Sequence, residues 1–477
     1  MTDAPPAPTT APRCDFEHIF RTLRHHSRVF PLNSADVRVI ATPTEFYEQL
    51  LTNIRGARHR ITISSLYLGT GELEQQLVRC LHEQLQANPG LKVQIVLDYS
   101  RGQRGGQTRS SVAMLKPLLA QYPQQCQLFL YKVPQLNGVK AFLPPPFNET
   151  MGVSHAKVYL VDDVLVLSGA NLSEDYFTNR QDRYVQMANC GALATFYHEF
   201  VDIVAAHAFR VKLQSDKKQT YELEGVNNDT AARMQVMKQA FQDLVEQSKH
   251  PDDHKLNFDA NDTWAFPTIQ FSPINMTQDE ELLTALMPML PAQSSLSIAS
   301  GYLNFPPFLE QLLVESHAHL DVLAAAPKAN GFFKANGVKG ALPMAYSLIE
   351  QEFYDQTRSR GGLSTHIREF GRPSWTFHGK GMWFSPQPGG TVPLTIMGSS
   401  NFGRRSYGCD LESQLVMYTK NPALRESFRQ EYSGLTQHAE LVNDQVWQRA
   451  DRRLKGLFCW QYGHWIRPVA RMISSFL

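Results

Sequence analysis

HAKVYLVDDVLVLSGAN, residues 155–171, and HGKGMWFSPQPGGTVPLTIMGSSN, residues 378–401, read as one hairpin written twice. Each opens with His-x-Lys, runs through an apolar strand, turns, runs through a second apolar strand and closes on a small-residue turn ending in asparagine. The first turn is the tight pair Asp162-Asp163, and the second is the longer QPGGTVP. Loop-closure cost grows slowly with length, so an insertion at that point leaves the hairpin intact.

The repetition extends outward. FYEQLLTNIRGARHRITISSLYLGTGELEQQL at 46–77 predicts helix, strand, glycine turn and helix, and ELLTALMPMLPAQSSLSIASGYLNFPPFLEQLL at 281–313 predicts the same order. Each is followed by a further apolar strand, LKVQIVLD at 91–98 and LDVLAAA at 320–326. Alternation of helices and strands predicts an α/β fold, here two related domains in tandem. The expected units are an N-terminal extension at 1–33, a first repeat at 34–212, a linker with one helix at 213–265, a second repeat at 266–436 and a C-terminal segment at 437–477.

Residues two apart on a strand share a face, so His155 with Lys157 and His378 with Lys380 each present an imidazole beside an ammonium. That pairing suits attack on a phosphodiester. The imidazole serves as nucleophile or acid/base, and the lysine neutralises nonbridging oxygens. A single His-x-Lys is weak evidence; two at matching places, each followed by Gly-x-Asn or its near copy, are strong. The spacing from asparagine to the next acid is also the same in both copies, eleven residues from Asn171 to Asp182 and eleven from Asn401 to Glu412. A solvated strand-end acid is the plain alternative. Equal spacing favours carboxylates that orient the imidazoles by accepting a ring N–H.

Composition narrows the partners. A net charge of +1, from 46 basic and 45 acidic residues, gives no global field for nucleic acid, so any anion site must be local. The six cysteines show no CxxC pair, and no carboxylate cluster suggests a metal, so no cofactor is expected. No apolar run approaches the ~18–20 residues that span a bilayer. FEHIFRTLRHHSRVF at 16–30 carries Arg21, Arg24 and Arg28 on an amphipathic pattern that suits either a mitochondrial presequence or a surface helix; Asp3, Asp15 and Glu17 are untypical of the former. The C-terminal DRRLKGLFCWQYGHWIRPVARMISSFL interleaves basic and aromatic residues and suits an anionic membrane surface.

HAKVYLVD at 155–162 matches the HxKxxxxD signature of the phospholipase D superfamily, and the downstream GAN and GSSN match its turns. SSLYLGTGELEQ, FNETMGVSHAKVYLVDDVLVLSGANLSEDYFTNRQDRYV, NGFFKANGVKGALP and WTFHGKGMWF further resemble the eukaryotic CDP-diacylglycerol–glycerol-3-phosphate 3-phosphatidyltransferase family. The resemblance implies two phospholipase-D-like α/β/α domains related by a pseudo-twofold, with the active site between them. It also implies CDP-diacylglycerol and glycerol 3-phosphate as substrates, a phosphatidyl-histidine intermediate on His155, acid/base work by His378, and phosphate positioning by Lys157, Lys380, Asn171 and Asn401. Asp162 completes the first motif, while Ser385 stands where the second would have its acid, which points to a mainly structural Asp162 or to a need for one copy only. A mitochondrial, inner-membrane peripheral location follows from the same likeness. Serine as acceptor, hydrolysis of phospholipid or nucleic acid, and a noncatalytic lipid-binding scaffold are the competing readings.

Three loops are further candidates for substrate contact. Gly69 and Gly71 lie in a βα turn whose amides could face an anion, though without the ending of a phosphate-binding loop. Arg101 and Arg104 follow the strand at 91–98, and Lys334 and Lys339 follow its counterpart at 320–326.

Overall fold

The computed structural model describes residues 16–136, 151–214, 220–225, 229–246, 261–333, 342–358, 360, 363–449 and 452. The C-terminal segment beyond Arg452 and the loop carrying Lys334 and Lys339 lie outside the described residues, as do Cys14 and Cys459.

Two large mixed sheets carry the chain. The first runs, in spatial order, Val37–Ile40, Tyr184–Met187, Val164–Ser168, Val158–Val161, Arg60–Ser65, Lys92–Asp98, Cys126–Tyr131 and Phe209–Leu213. The second repeats that order with Thr263–Phe271, Glu412–Thr419, Leu394–Gly398, Gly381–Ser385, Ser295–Ala299, His319–Ala325, Thr365–Phe370 and Ala439–Leu441. In each, three neighbouring strands are parallel, and the His-x-Lys hairpin is added antiparallel beside them. The hairpin strands Val158–Val161 and Gly381–Ser385 are buried throughout, as central strands covered on both faces must be.

Amphipathic helices cover the outer faces. In the first half, Pro43–Arg55 buries Phe46, Leu50, Leu51 and Ile54 against the sheet, with Thr42 capping its first turn and Pro43 opening it. One hydrophobic cluster belongs to each half, and a third is shared. In the shared cluster Phe196, Tyr197 and Phe200 of the helix Gly191–Ala206 meet Phe271, Leu415 and Met417 of the second half. The two halves therefore bury one another through this shared core, with the helix Gly191–Ala206 packed between them.

Two segments differ from expectation. The span read as a linker contributes the strand Tyr221–Glu224, which extends the first sheet, and the helix Thr230–Glu246, whose Met237, Phe241 and Leu244 enter the shared core. The edge strand was hidden because it is only half-buried, so its residues are largely polar. At the other end, residues 16–32 are built into the second half. The helix Phe16–His26 buries Ile19, Phe20 and Leu23, with Phe20 edge-on to Trp264 and Phe266, and Phe30–Leu32 pairs with Thr263–Phe271 as an added edge strand. The amphipathic pattern serves docking. Truncation to residue 34 removes these buried groups, each worth about 2–5 kcal/mol, so the truncated chain should melt many degrees lower; an unchanged thermal midpoint would refute the role.

Candidate active site

The halves meet along a pair of matching backbone contacts. His155 N–H donates to Leu411 O at 2.9 Å, and His378 N–H donates to Gln181 O at 2.8 Å. Leu411 and Gln181 each directly precede an acid, Glu412 and Asp182. Each histidine is thus seated against the acid of the opposite half. His155 Nδ1 lies 2.8 Å from Glu412 Oε1, and His378 Nδ1 lies 2.6 Å from Asp182 Oδ2. All four side chains are buried.

This arrangement sets the tautomers. A carboxylate at Nδ1 accepts the ring proton there, which leaves Nε2 as the lone-pair nitrogen of each neutral imidazole. Burial lowers both histidine pKa values. Glu412 opposes the shift at His155, while Lys380, Arg180 and Lys157 reinforce it at His378, which falls well below its ordinary value. Burial alone would raise Glu412, but His155, Lys157 and the Ser399 hydroxyl hold it at about 2; Ser406 also donates to it at 2.8 Å. Burial raises Asp182 to about 6 despite Lys380.

Both lysines reach the same region. Lys380 Nζ lies 2.8 Å from Asn401 Oδ1 and 3.1 Å from His378 Nε2, and burial pushes its pKa down to about 8. Lys157 Nζ and Asn171 Oδ1 are buried with no hydrogen-bond partner among the described residues, the condition expected of groups that wait for a ligand. Burial drives Lys157 well below its ordinary pKa, and it senses the charges of Glu412, Lys380 and Asp182. Lys380 reaches this position across the bare face of Gly169, where a Cβ would stand 2.4 Å from Lys380 Cε and 2.7 Å from Asp182 Oδ1. The glycine of the first GAN turn is required by a lysine of the other half.

His155, Lys157, Asn171, Asp182, His378, Lys380, Asn401 and Glu412 therefore converge. Asp162 does not join them, a correction to its inclusion with the catalytic groups. Its carboxylate accepts the backbone N–H groups of Arg58, His59 and Arg60 at 2.8–2.9 Å, so it ties the hairpin turn to the start of the neighbouring strand and is structural. Ser385, its counterpart, makes a local bond from Oγ to Gln387 O. Gly69 and Gly71 are also corrected. Gly69 N–H is spent on Leu172 O, and Glu74 folds back so closely that a Cβ on Gly69 would sit 2.1 Å from its Oε1. The chain's own carboxylate fills that helix start, where an anion would have to bind. Arg101 stacks on Tyr67 at 4.5 Å, and burial, then Arg101, lowers Arg104 to about 10.

The sequence reading missed Tyr176, Tyr302 and Arg180. The rings of Tyr176 and Tyr302 stand edge-on to His378 at 5.2 and 5.7 Å, and Tyr176 OH is 3.4 Å from His378 Nε2. Tyr302 holds the place in ASGYL that Tyr67 holds in SSLYL, a repeat signal that could have flagged both. Arg183 was missed too. It crosses to the second half, pairs with Glu431 at 2.8 Å and lies over the Trp383 ring, and Gly381 leaves it room.

Among the described residues no group of three or more His, Cys, Asp or Glu could hold a metal ion, and no helix is long and apolar enough to cross a membrane.

Duplicated sheets with two His-Lys dyads on one interface define an enzyme of the phospholipase D type, and a family model described as a cardiolipin synthase, PLD-like domain, matches residues 50–203. The mitochondrial CDP-diacylglycerol–glycerol-3-phosphate 3-phosphatidyltransferases of Gallus gallus and Homo sapiens are each 35% identical, covering 99% and 100% of this chain and 90% of their own length. The chain belongs to the CDP-diacylglycerol–glycerol-3-phosphate 3-phosphatidyltransferase family. A member from Saccharomyces pastorianus is 31% identical over 89% of this chain and 86% of its own. In fold, the phosphatidylserine synthase of Haemophilus influenzae Rd KW20 superposes with a TM-score of 0.74 at 17% identity, covering 97% of this chain and all of that one.

Proposed function

We propose that the chain moves a phosphatidyl group from CDP-diacylglycerol to glycerol 3-phosphate, releasing CMP and forming phosphatidylglycerophosphate. The observation that carries this is the crossed pair of buried imidazoles, each held at Nδ1 by an acid of the other half, with both lysines beside them. His378 takes up a proton at Nε2 when the anionic pyrophosphate enters beside it; His155 Nε2 then attacks the phosphorus next to diacylglycerol, the P–O bond to CMP breaks, and His378 gives that proton to the departing oxygen. Glycerol 3-phosphate then enters. Its primary hydroxyl loses its proton to His378 Nε2, the oxygen bonds to phosphorus, and the P–N bond to His155 breaks. Lys157, Lys380, Asn171 and Asn401 hold the phosphate oxygens through both displacements. The two ammonium groups supply the charge that a metal supplies elsewhere, so activity should survive chelation.

The relatives' mitochondrial naming supports a place at the inner mitochondrial membrane, reached peripherally, with the basic aromatic C-terminal segment drawn to anionic lipid. Radiolabelled CDP-diacylglycerol offered separately with glycerol 3-phosphate, serine and water tests the reaction. Label should pass to glycerol 3-phosphate; label passing only to water or only to serine sinks the reading.

Asp182 must be ionised to hold the His378 Nδ1 proton, so activity falls as pH drops below about 6. Lys380 must be charged, so activity falls again as pH rises above about 8. A profile of kcat/KM should be bell-shaped, and one that is flat from about pH 5 to pH 9 contradicts this assignment.

A further inference from the structure

The cleft is nearly symmetric in its backbone and opposite in its charge. Arg180 and Asp410 occupy the same position in the two halves, each two residues before the acid that holds a histidine. Asp175 and Arg405 likewise correspond. At these positions each half carries an Arg–Asp pair, but reversed: Arg180 Nη2 to Asp175 Oδ2 at 3.2 Å, and Arg405 Nη2 to Asp410 Oδ1 at 2.8 Å. In the first half the cation is the inner group, since the Arg180 side chain is 15% exposed and Asp175 63%. In the second half the acid is inner, with Asp410 5% exposed and accepting Val153 N–H, two residues before His155. A carboxylate thus stands near His155 and a guanidinium near His378.

Arg180 is held there on several sides. Its guanidinium lies 4.6 Å over the Tyr176 ring, which itself stands edge-on to His378. Its Nε donates to Thr376 Oγ1 at 2.9 Å, on the short strand Thr376–Phe377 that leads into His378. Gly331 approaches from the second half so closely that a Cβ there would be 3.0 Å from Tyr302 OH and 3.6 Å from Arg180 Nη2. Arg180 Nη2 and the Tyr302 hydroxyl therefore border one point. The phosphate under transfer is served by the two lysines and two asparagines. An acceptor that carries a second phosphate needs a further cation beside the base, off the reacting phosphorus, and a planar fork suits a phosphate dianion better than an ammonium does.

We propose that Arg180, with the hydroxyls of Tyr302 and Tyr176, receives the phosphate that the acceptor brings with it and so sets the preference for a phosphorylated over a neutral acceptor. This rests on the transferase reading above. It makes Arg180 a specificity residue, whereas Asp410 at the mirror position is spent on Arg405 and on Val153 N–H.

The test uses the full chain with CDP-diacylglycerol in mixed micelles and two acceptors, glycerol 3-phosphate and glycerol. In Arg180→Gln the preference for glycerol 3-phosphate, as a ratio of kcat/KM values, should fall about 30–100-fold, mostly through the KM of glycerol 3-phosphate. Arg180→Lys keeps the charge and loses the fork, so its preference should fall about 5–10-fold. If Arg180→Gln does not fold, as judged by its thermal melt, Arg180→Lys alone decides. A preference within twofold of wild type in the folded variants overturns the proposal, as does an equal fall for both acceptors. Wild-type protein that transfers to neither acceptor defeats the transferase reading itself.

Discussion

His155→Ala and His378→Ala each lower transfer from CDP-diacylglycerol to glycerol 3-phosphate by at least about 10⁴-fold, and they fail at different steps. Without the His155 imidazole no covalent species forms. Without His378 the first displacement is slowed but still open, because a nucleotide phosphate is a tolerable leaving group; the second lacks its base. Incubation with CDP-diacylglycerol labelled in the lipid should therefore leave His378→Ala carrying label, stable to alkali and lost in acid as a phosphorus–nitrogen bond requires. His155→Ala should carry none. Label on the His155 variant instead would exchange the two roles.

The orienting acids give the second large effect, and here the crossing matters. Glu412→Gln and Asp182→Asn keep shape and remove charge, so the chain should fold while transfer drops about 10³–10⁴-fold, the scale seen when a triad carboxylate becomes an amide and the tautomer is lost. Because Glu412 serves His155 and Asp182 serves His378, Glu412→Gln should lose covalent labelling and Asp182→Asn should retain it. Acids acting within their own halves predict the reverse, so one labelling experiment separates the arrangements.

Most of the fold was legible in the chain. The twin hairpins fix a period of two around His155 and His378, and the helix–strand–helix runs before them fix α/β layers. The eight converging residues were legible for the same reason, since duplication turns a weak motif into a strong one. The pairing across halves was not, because spacing within one copy says nothing about how two copies dock. Arg180 escaped because its counterpart is Asp410; a search for what repeats overlooks what is inverted. Asp162 and the glycines at 69 and 71 misled through proximity to the right motifs. A carboxylate that caps backbone amides and a glycine that makes room for Glu74 look, in a sequence, like groups awaiting a substrate.

The strand Phe30–Leu32 completes its sheet against Thr263–Phe271, with Phe30 opposite Ala265. Phe30 therefore finds its partner, Ala265, only after the 234 residues between them have been made. The opening helix, with its apolar stripe, has to wait unpaired through synthesis or translocation and closes onto the distal half late. Maturation of this enzyme should consequently be slow and chaperone-sensitive, with protease sites near Ile19 and Leu23 protected last.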